Sequence, residues 1–158
     1  MGKVITLDAL VALRKTFREQ HKKVVFTNGC YDILHRGHVE YLIRAKALGD
    51  ILIVGVNSDP SVRRLKGEHR PIVLEDDRAF IIASLAAVDY TCLFGDDTPF
   101  NLINVLVPDV LVKGADWKVD DIVGKDVVEQ AGGVVKTIEF VPSRSTTNII
   151  DEILKRYK

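Results

Sequence analysis

His35 and His38 stand three residues apart in the run Thr27-Asn28-Gly29-Cys30-Tyr31-Asp32-Ile33-Leu34-His35-Arg36-Gly37-His38. The run joins the end of an apolar strand, a glycine-bearing turn, and a helical pattern whose apolar period begins at Val39. A three-residue step is close to one helical turn, so both imidazoles can face one direction. A helix start presents unpaired N–H groups and a positive partial charge, which together welcome an anion. The same field disfavours imidazolium and leaves neutral rings as hydrogen-bond donors. Gly37 lacks a side chain, so a ligand can approach the backbone there. This set suits a polyphosphate. Phosphoryl and nucleotidyl transfer ask a protein for in-line positioning and for donors aimed at developing charge. The two histidines can bridge an α-phosphate and a departing pyrophosphate.

Other readings of the same residues stand beside this one. A bare His-x-Gly-His also occurs as ordinary loop and surface histidines. A metal pair completed by Cys30 or Asp32 is the weaker reading, because structural zinc needs four ligands at tighter spacing. A G-x-G-x-x-G fingerprint is absent, which argues against a dinucleotide-dependent dehydrogenase. Cys30 has no apparent base and is not read as a nucleophile.

The elements that must position these residues follow from patterning. Short β-branched runs at Lys23–Asn28, Ile51–Val56, Tyr90–Phe94, Val110–Val112 and Val134–Ile138 read as strands buried on both faces. Between them, Val39/Leu42/Ile43/Ala47, Ala79/Ile82/Ala83/Ala86 and Leu102/Ile103/Leu106 recur at helical spacing. This alternation predicts a single doubly wound α/β domain over 1–158, Rossmann-like, with a parallel sheet of about five strands. An N-terminal helix over 6–20, capped by Thr6, precedes a nucleotide-binding core at 23–158. A last helix carries Ile149, Ile150, Ile153 and Leu154, with Thr146, Thr147 and Asn148 where caps belong. The stretches 66–71 and 114–125 lack periodicity. Loops after strand carboxyl ends carry ligands in such sheets, so these two are candidate ligand loops.

Composition agrees. The chain has 158 residues, of which 21 are Val, 15 Leu and 14 Ile, enough for a sizeable core. Lys plus Arg and Asp plus Glu are 22 each, which argues against a general nucleic-acid binder. Cys30 and Cys92 lie too far apart for a disulfide scaffold and fit a reducing compartment. The most apolar stretch, Ala79–Val88, is about half a membrane span, and Asp8 interrupts any leader-like run. The expectation is a soluble cytoplasmic protein without a membrane or nucleic-acid partner.

The run TNGCYDILHRGHVEYL resembles the signature of the cytidylyltransferase-like nucleotidyltransferases. So do AKALGDILIVGVNSD, KGEHRPI, DRAFIIASLAAVDY, PDVLVKGADW and STTNII, in that order over almost the whole chain. Within that superfamily the chain is most similar to the adenylyltransferase units of ADP-heptose synthesis. The resemblance implies transfer of AMP from ATP to D-glycero-β-D-manno-heptose 1-phosphate, giving ADP-heptose and pyrophosphate for lipopolysaccharide assembly. It implies that His35 and His38 are catalytic. Thr27, Asn28, Gly29, Cys30, Tyr31 and Gly37 would line the nucleotide pocket. Lys113, Gly114, Asp116 and Trp117 would reach ribose and base, and Ser145, Thr146 and Thr147 the phosphates. Asp32, Lys66 and Arg70 would face the sugar phosphate or pyrophosphate.

The same resemblance implies a homo-oligomer and a separate sugar kinase in the pathway. Mg²⁺ is expected with ATP through phosphate oxygens, with no protein metal site. The alternatives are a CTP-dependent glycerol-3-phosphate-type cytidylyltransferase and a non-catalytic nucleotide sensor. Compared with the glycerol-phosphate enzymes, this chain has Phe140 where an Arg is expected, Ser143-Arg144 for Gly-Ile, and Lys113 for an apolar residue. The Phe140 and Lys113 departures weaken a CTP assignment. Arg144 is unusual for the heptose group as well.

Overall fold

A computed structural model describes residues 1–139 and 144–157. Phe140 and Ser143, two of the departures above, lie outside the described residues. The chain runs β1 (Lys3–Val4), α1 (Leu7–Glu19), β2 (Val24–Gly29), α2 (Arg36–Lys46), β3 (Ile51–Asn57), α3 (Asp59–Lys66) and α4 (Glu75–Ala83). It continues with β4 (Tyr90–Phe94), α5 (Phe100–Leu106), β5 (Val110–Gly114), a 3₁₀ turn (Val119–Asp121), α6 (Lys125–Gln130), β6 (Val134–Ile138) and α7 (Thr146–Arg156). The expected α/β architecture is present.

Every strand pair is parallel, in the order β1-β4-β3-β2-β5-β6. Successive side chains of a strand point to opposite faces, so each inner strand feeds two cores. Phe26 and its register partner Ile53 enter one core with Leu10, Phe17, Leu102, Ile103 and Leu106 from α1 and α5. Val25 and its partner Leu52 enter the other with Tyr41, Leu42, Ala45 and Ile82 from α2 and α4. Fully burying each Val, Leu, Ile or Phe side chain among these contributes about 1.5–3 kcal/mol.

Three aspartates fix the amino ends of the strands. Asp109 accepts from Val24 N at 2.7 Å and from the buried Arg14 guanidinium at 3.0 Å. Arg14 also donates to the Leu106 and Val107 carbonyls, at 3.2 and 3.0 Å. Asp89 accepts from Leu52 N at 2.7 Å and Lys46 Nζ at 2.6 Å. Asp50 accepts from Lys23 N at 2.8 Å. The carboxyl ends of β2, β3 and β5 are thereby left to the site.

The structure departs from the sequence expectation at β1, α3 and the cap of α7, and α6 forms where no helical period is read. Among the described residues the sheet has six strands because Lys3–Val4 adds an edge strand to β4, held by Lys3 N to Asp89 O at 3.0 Å and Ile5 N to Thr91 O at 2.9 Å. Two exposed residues give no burial pattern to read. Helix α3 forms over a polar segment without an apolar period, started by the Ser58 cap with Pro60 in its first turn. Ser145, and not Thr146, Thr147 or Asn148, caps α7: its hydroxyl accepts from Asn148 N at 3.1 Å. Thr6 caps α1 as expected.

Candidate functional site

Strand order reverses at β2: the chain moves outward through β3 and β4, then crosses back to lay β5 on the other side. A crevice opens at the carboxyl ends beside such a switch point. Here it is a cleft of about 800 Å³. The sequence-predicted site residues line it, except Thr27 and Gly37. Both exceptions sit underneath. Thr27 is fully buried, with its hydroxyl 2.8 Å from the Tyr41 hydroxyl. A side chain on Gly37 would come within 3.0 Å of His35 Nδ1 and 3.2 Å of Arg144 Cβ. The glycine therefore makes room for protein atoms, a reason the sequence alone does not reveal.

His35 is the N-cap residue of α2, without a side-chain capping bond, and His38 lies in the first turn. Their rings stack, centroids 3.8 Å apart and 19° from parallel. Tyr31 packs edge-on against His38 at 5.2 Å and 71°. Tyr31 reaches that position through a left-handed backbone, φ 48°. Its ring folds back over Gly29, where a Cβ would lie 3.1 Å from Tyr31 Cε2. The motif is thus a packed unit. Gly29 admits Tyr31, Tyr31 fixes His38, and His38 carries His35.

Burial, and second the His35 charge, push the His38 imidazole down to about 4. His35 is lowered too, by burial and then by Arg144. The pair is neutral at pH 7. Desolvation is the main cause, where the sequence suggested the helix field. Both Nδ1 atoms are buried without a hydrogen-bond partner among the described residues. Such atoms cost about 1–3 kcal/mol each until something satisfies them.

Around this pair two polar bridges shape the cleft. Asp32, 3 % exposed, accepts from Ile72 N at 2.7 Å and Val73 N at 2.8 Å and ion-pairs with Arg70. Its carboxylate is engaged by the loop after α3, and it still lines the cleft. Arg78, 1 % exposed, donates to Cys30 O at 2.6 Å, Val73 O at 2.9 Å and Asp59 Oδ1 at 2.8 Å. One guanidinium thereby ties the turn after β2, the loop after α3 and the start of α3. Arg78 was missed from sequence because it sits inside a helical pattern next to apolar Ala79 and Ile82.

Across the switch point, the Lys113 ammonium at the end of β5 donates to Asn28 Oδ1 at the end of β2. Burial lowers Lys113 to about 8, with Asp116 opposing that shift. Trp117 is half-exposed beside them, lining the cleft and not the core. Thr146 Oγ1 lies 3.5 Å from Ile33 O, which joins the start of α7 to the turn after β2. The cleft also takes in Asn57, Thr98, Tyr41 and Arg144, which periodicity did not select. Among the described residues no cluster of three or more His, Cys, Asp or Glu side chains can hold a metal. No helix among them is long and apolar enough to cross a membrane.

The cytidylyltransferase-like family model matches residues 26–152. A protein of Geobacter sulfurreducens called bifunctional protein HldE is 54 % identical over 156 residues, covering 99 % of this chain and 32 % of that one. Its counterpart of the same name in Wolinella succinogenes is 50 % identical over 151 residues, covering 96 % and 31 %. The chain thus spans about a third of the length of the curated relatives it matches. Among solved structures, a lipopolysaccharide core biosynthesis protein from Thermoplasma volcanium superposes with TM-score 0.62 at 32 % identity, covering 76 % of this chain and 97 % of that one. A pantoate-beta-alanine ligase from Francisella tularensis, at 15 % identity and TM-score 0.61 over 98 % of this chain and 80 % of its own, shares the fold.

Proposed function

The chain belongs to the cytidylyltransferase-like family, and from that premise we propose that it transfers AMP from ATP to D-glycero-β-D-manno-heptose 1-phosphate. The observation that carries a nucleotidyl transfer is the neutral, stacked His35–His38 pair at the start of α2, with both Nδ1 atoms buried and unpartnered beside the cleft. A phosphate oxygen of the acceptor attacks the α-phosphorus of ATP in line. The bond to the β-phosphate oxygen breaks, and pyrophosphate leaves with that electron pair. The acceptor phosphate is already ionised near neutral pH, so no protein base is required.

The residues divide this work. Neutral imidazoles donate hydrogen bonds to phosphate oxygens, and the gathering negative charge favours their taking up a proton. The first N–H groups of α2 and of α7, with Ser145, Thr146 and Thr147, face the same phosphates. Lys113, Gly114 and Asp116 hold the nucleoside, with the carboxylate accepting from ribose hydroxyls. Lys66 and the Asp32-positioned Arg70 hold the acceptor phosphate. Mg²⁺, for which the chain offers no ligand cluster among the described residues, would ride on the nucleotide's phosphate oxygens and offset their charge.

The heptose and the adenine base rest on the motif resemblance, on the similarity to the HldE proteins and on Lys113 at the base-facing segment. A sugar kinase would supply the 1-phosphate. Pyrophosphate release is the test, with ATP or CTP crossed against heptose 1-phosphate or glycerol 3-phosphate. Release with ATP and heptose 1-phosphate alone is expected. Release with CTP and glycerol 3-phosphate would keep the histidine chemistry and refute the specificity. ATP binding without release in any pair would favour the sensor.

A further inference from the structure

Arg144 is a residue that the reaction described above leaves without a task. It sits immediately before the Ser145 cap of α7, and its Cβ lies against the start of α2 beside Gly37. It also lines two clefts. One is the 800 Å³ nucleotide cleft. The other, about 610 Å³, lies between the start of α2 and α7. Among the described residues only His35, Arg144, Ser145 and Asn148 line both, so they form the doorway between them.

Three arginines face the second cleft, and their situations differ. Arg36 pairs with Glu40 of its own helix at 2.5 Å, and Arg156 with Glu152 of its own helix at 2.7 Å. Arg144 has no carboxylate within ion-pair distance among the described residues. The two helix-borne guanidiniums are neutralised by their neighbours. The exposed Arg144 is not, and its Cβ meets the same Gly37 position as the buried, unpartnered Nδ1 of His35. An uncompensated guanidinium next to two helix N-termini calls for an anion of high charge density.

In-line displacement decides which anion. Acceptor and leaving group must occupy opposite sides of the α-phosphorus. Lys66 and Arg70 line the nucleotide cleft alone, whereas Arg144 stands where that cleft opens into the second. We propose that Arg144 binds the leaving pyrophosphate at this doorway and that the cleft between α2 and α7 is the path by which pyrophosphate departs. This rests on the nucleotidyltransferase reading. It adds a residue to it and a separate exit that does not require the nucleoside or acceptor to move first.

The test is calorimetric binding of inorganic pyrophosphate, ATP and AMP to the wild type and to Arg144→Ala and Arg144→Lys, with the KM for sugar phosphate measured alongside. Arg144→Ala should weaken pyrophosphate by about tenfold or more, the scale of a lost charge-assisted contact. It should weaken ATP in the same direction and change AMP by less than twofold. Arg144→Lys should restore part of the pyrophosphate affinity. In turnover, pyrophosphate should become a correspondingly poorer product inhibitor. Unaltered pyrophosphate affinity in a folded Arg144→Ala protein overturns the proposal, as does an effect confined to the KM for sugar phosphate. Wild type that binds neither ATP nor pyrophosphate would instead overturn the nucleotidyltransferase reading. Thermal melts establish folding, and Arg144→Gln replaces the Ala variant if that one is unstable.

Discussion

Acidification tests the description of the His38 pocket directly. Burial and the stacked His35 hold His38 at about 4, against an ordinary 6.5. At about 1.4 kcal/mol per tenfold change, that fall corresponds to roughly 3 kcal/mol favouring the neutral ring. The folded protein resists protonation that the unfolded chain accepts, so between pH 6.5 and 4 the unfolded state binds more protons. Stability is therefore fully present above 6.5 and is lost as pH falls toward 4. From pH 7 to pH 5 this one residue removes about 2 kcal/mol of unfolding free energy. The assay is an imidazole-resolved NMR titration of wild type, paired with urea unfolding of wild type and His38→Asn at both pH values. Wild type should lose about 2 kcal/mol more than the variant on acidification, and the His38 resonances should titrate near 4. ATP should move that titration upward, because a polyphosphate favours imidazolium. A His38 that titrates at 6 or above without ligand, or equal acid sensitivity in the two proteins, would refute the reasoning.

Three further outcomes are expected. His38→Ala should cut kcat by well over tenfold while circular dichroism stays native, and near-normal turnover would remove His38 from the transition state. Lys113→Met removes the ammonium that bridges the ends of β5 and β2, and should lower the ATP-over-CTP ratio of kcat/KM by about tenfold or more. An unchanged ratio would place base reading elsewhere. Arg78→Met leaves Asp59 and two loop carbonyls without their donor. It should cost about 3–5 kcal/mol in urea unfolding, and a loss under 1 kcal/mol would mean that the three-way tie is not holding the loop.

The parts of this protein readable from sequence were those whose cause is local. Val24–Gly29 and Ile51–Asn57 are strands because β-branched residues fill positions buried on both faces, and that composition is visible without neighbours. Thr6 caps its helix with its own hydroxyl. The three-residue step of His35 and His38 puts both rings on one side of a helix start without any tertiary contact. The alternation of strands and helices sufficed for the α/β class and placed the loops that carry the cleft.

Tertiary structure decided what depends on residues far apart in the chain. β1 exists only because β4 offers it an edge, and two residues carry no period of their own. Thr27 belongs beneath the cleft because Tyr41 meets it there. Asp32 is paired because the loop bearing Arg70 folds back onto it, 38 residues along the chain. Arg78, a cation in a helical pattern, is buried because one guanidinium can satisfy two loop carbonyls and a carboxylate at once. Periodicity reports which face of an element is apolar. It does not report which charges will find a partner, and a buried charge is tolerated only where the fold supplies one. The residue types for the chemistry were written in the sequence, while their protonation, their orphaned nitrogens and the doorway at Arg144 came from packing.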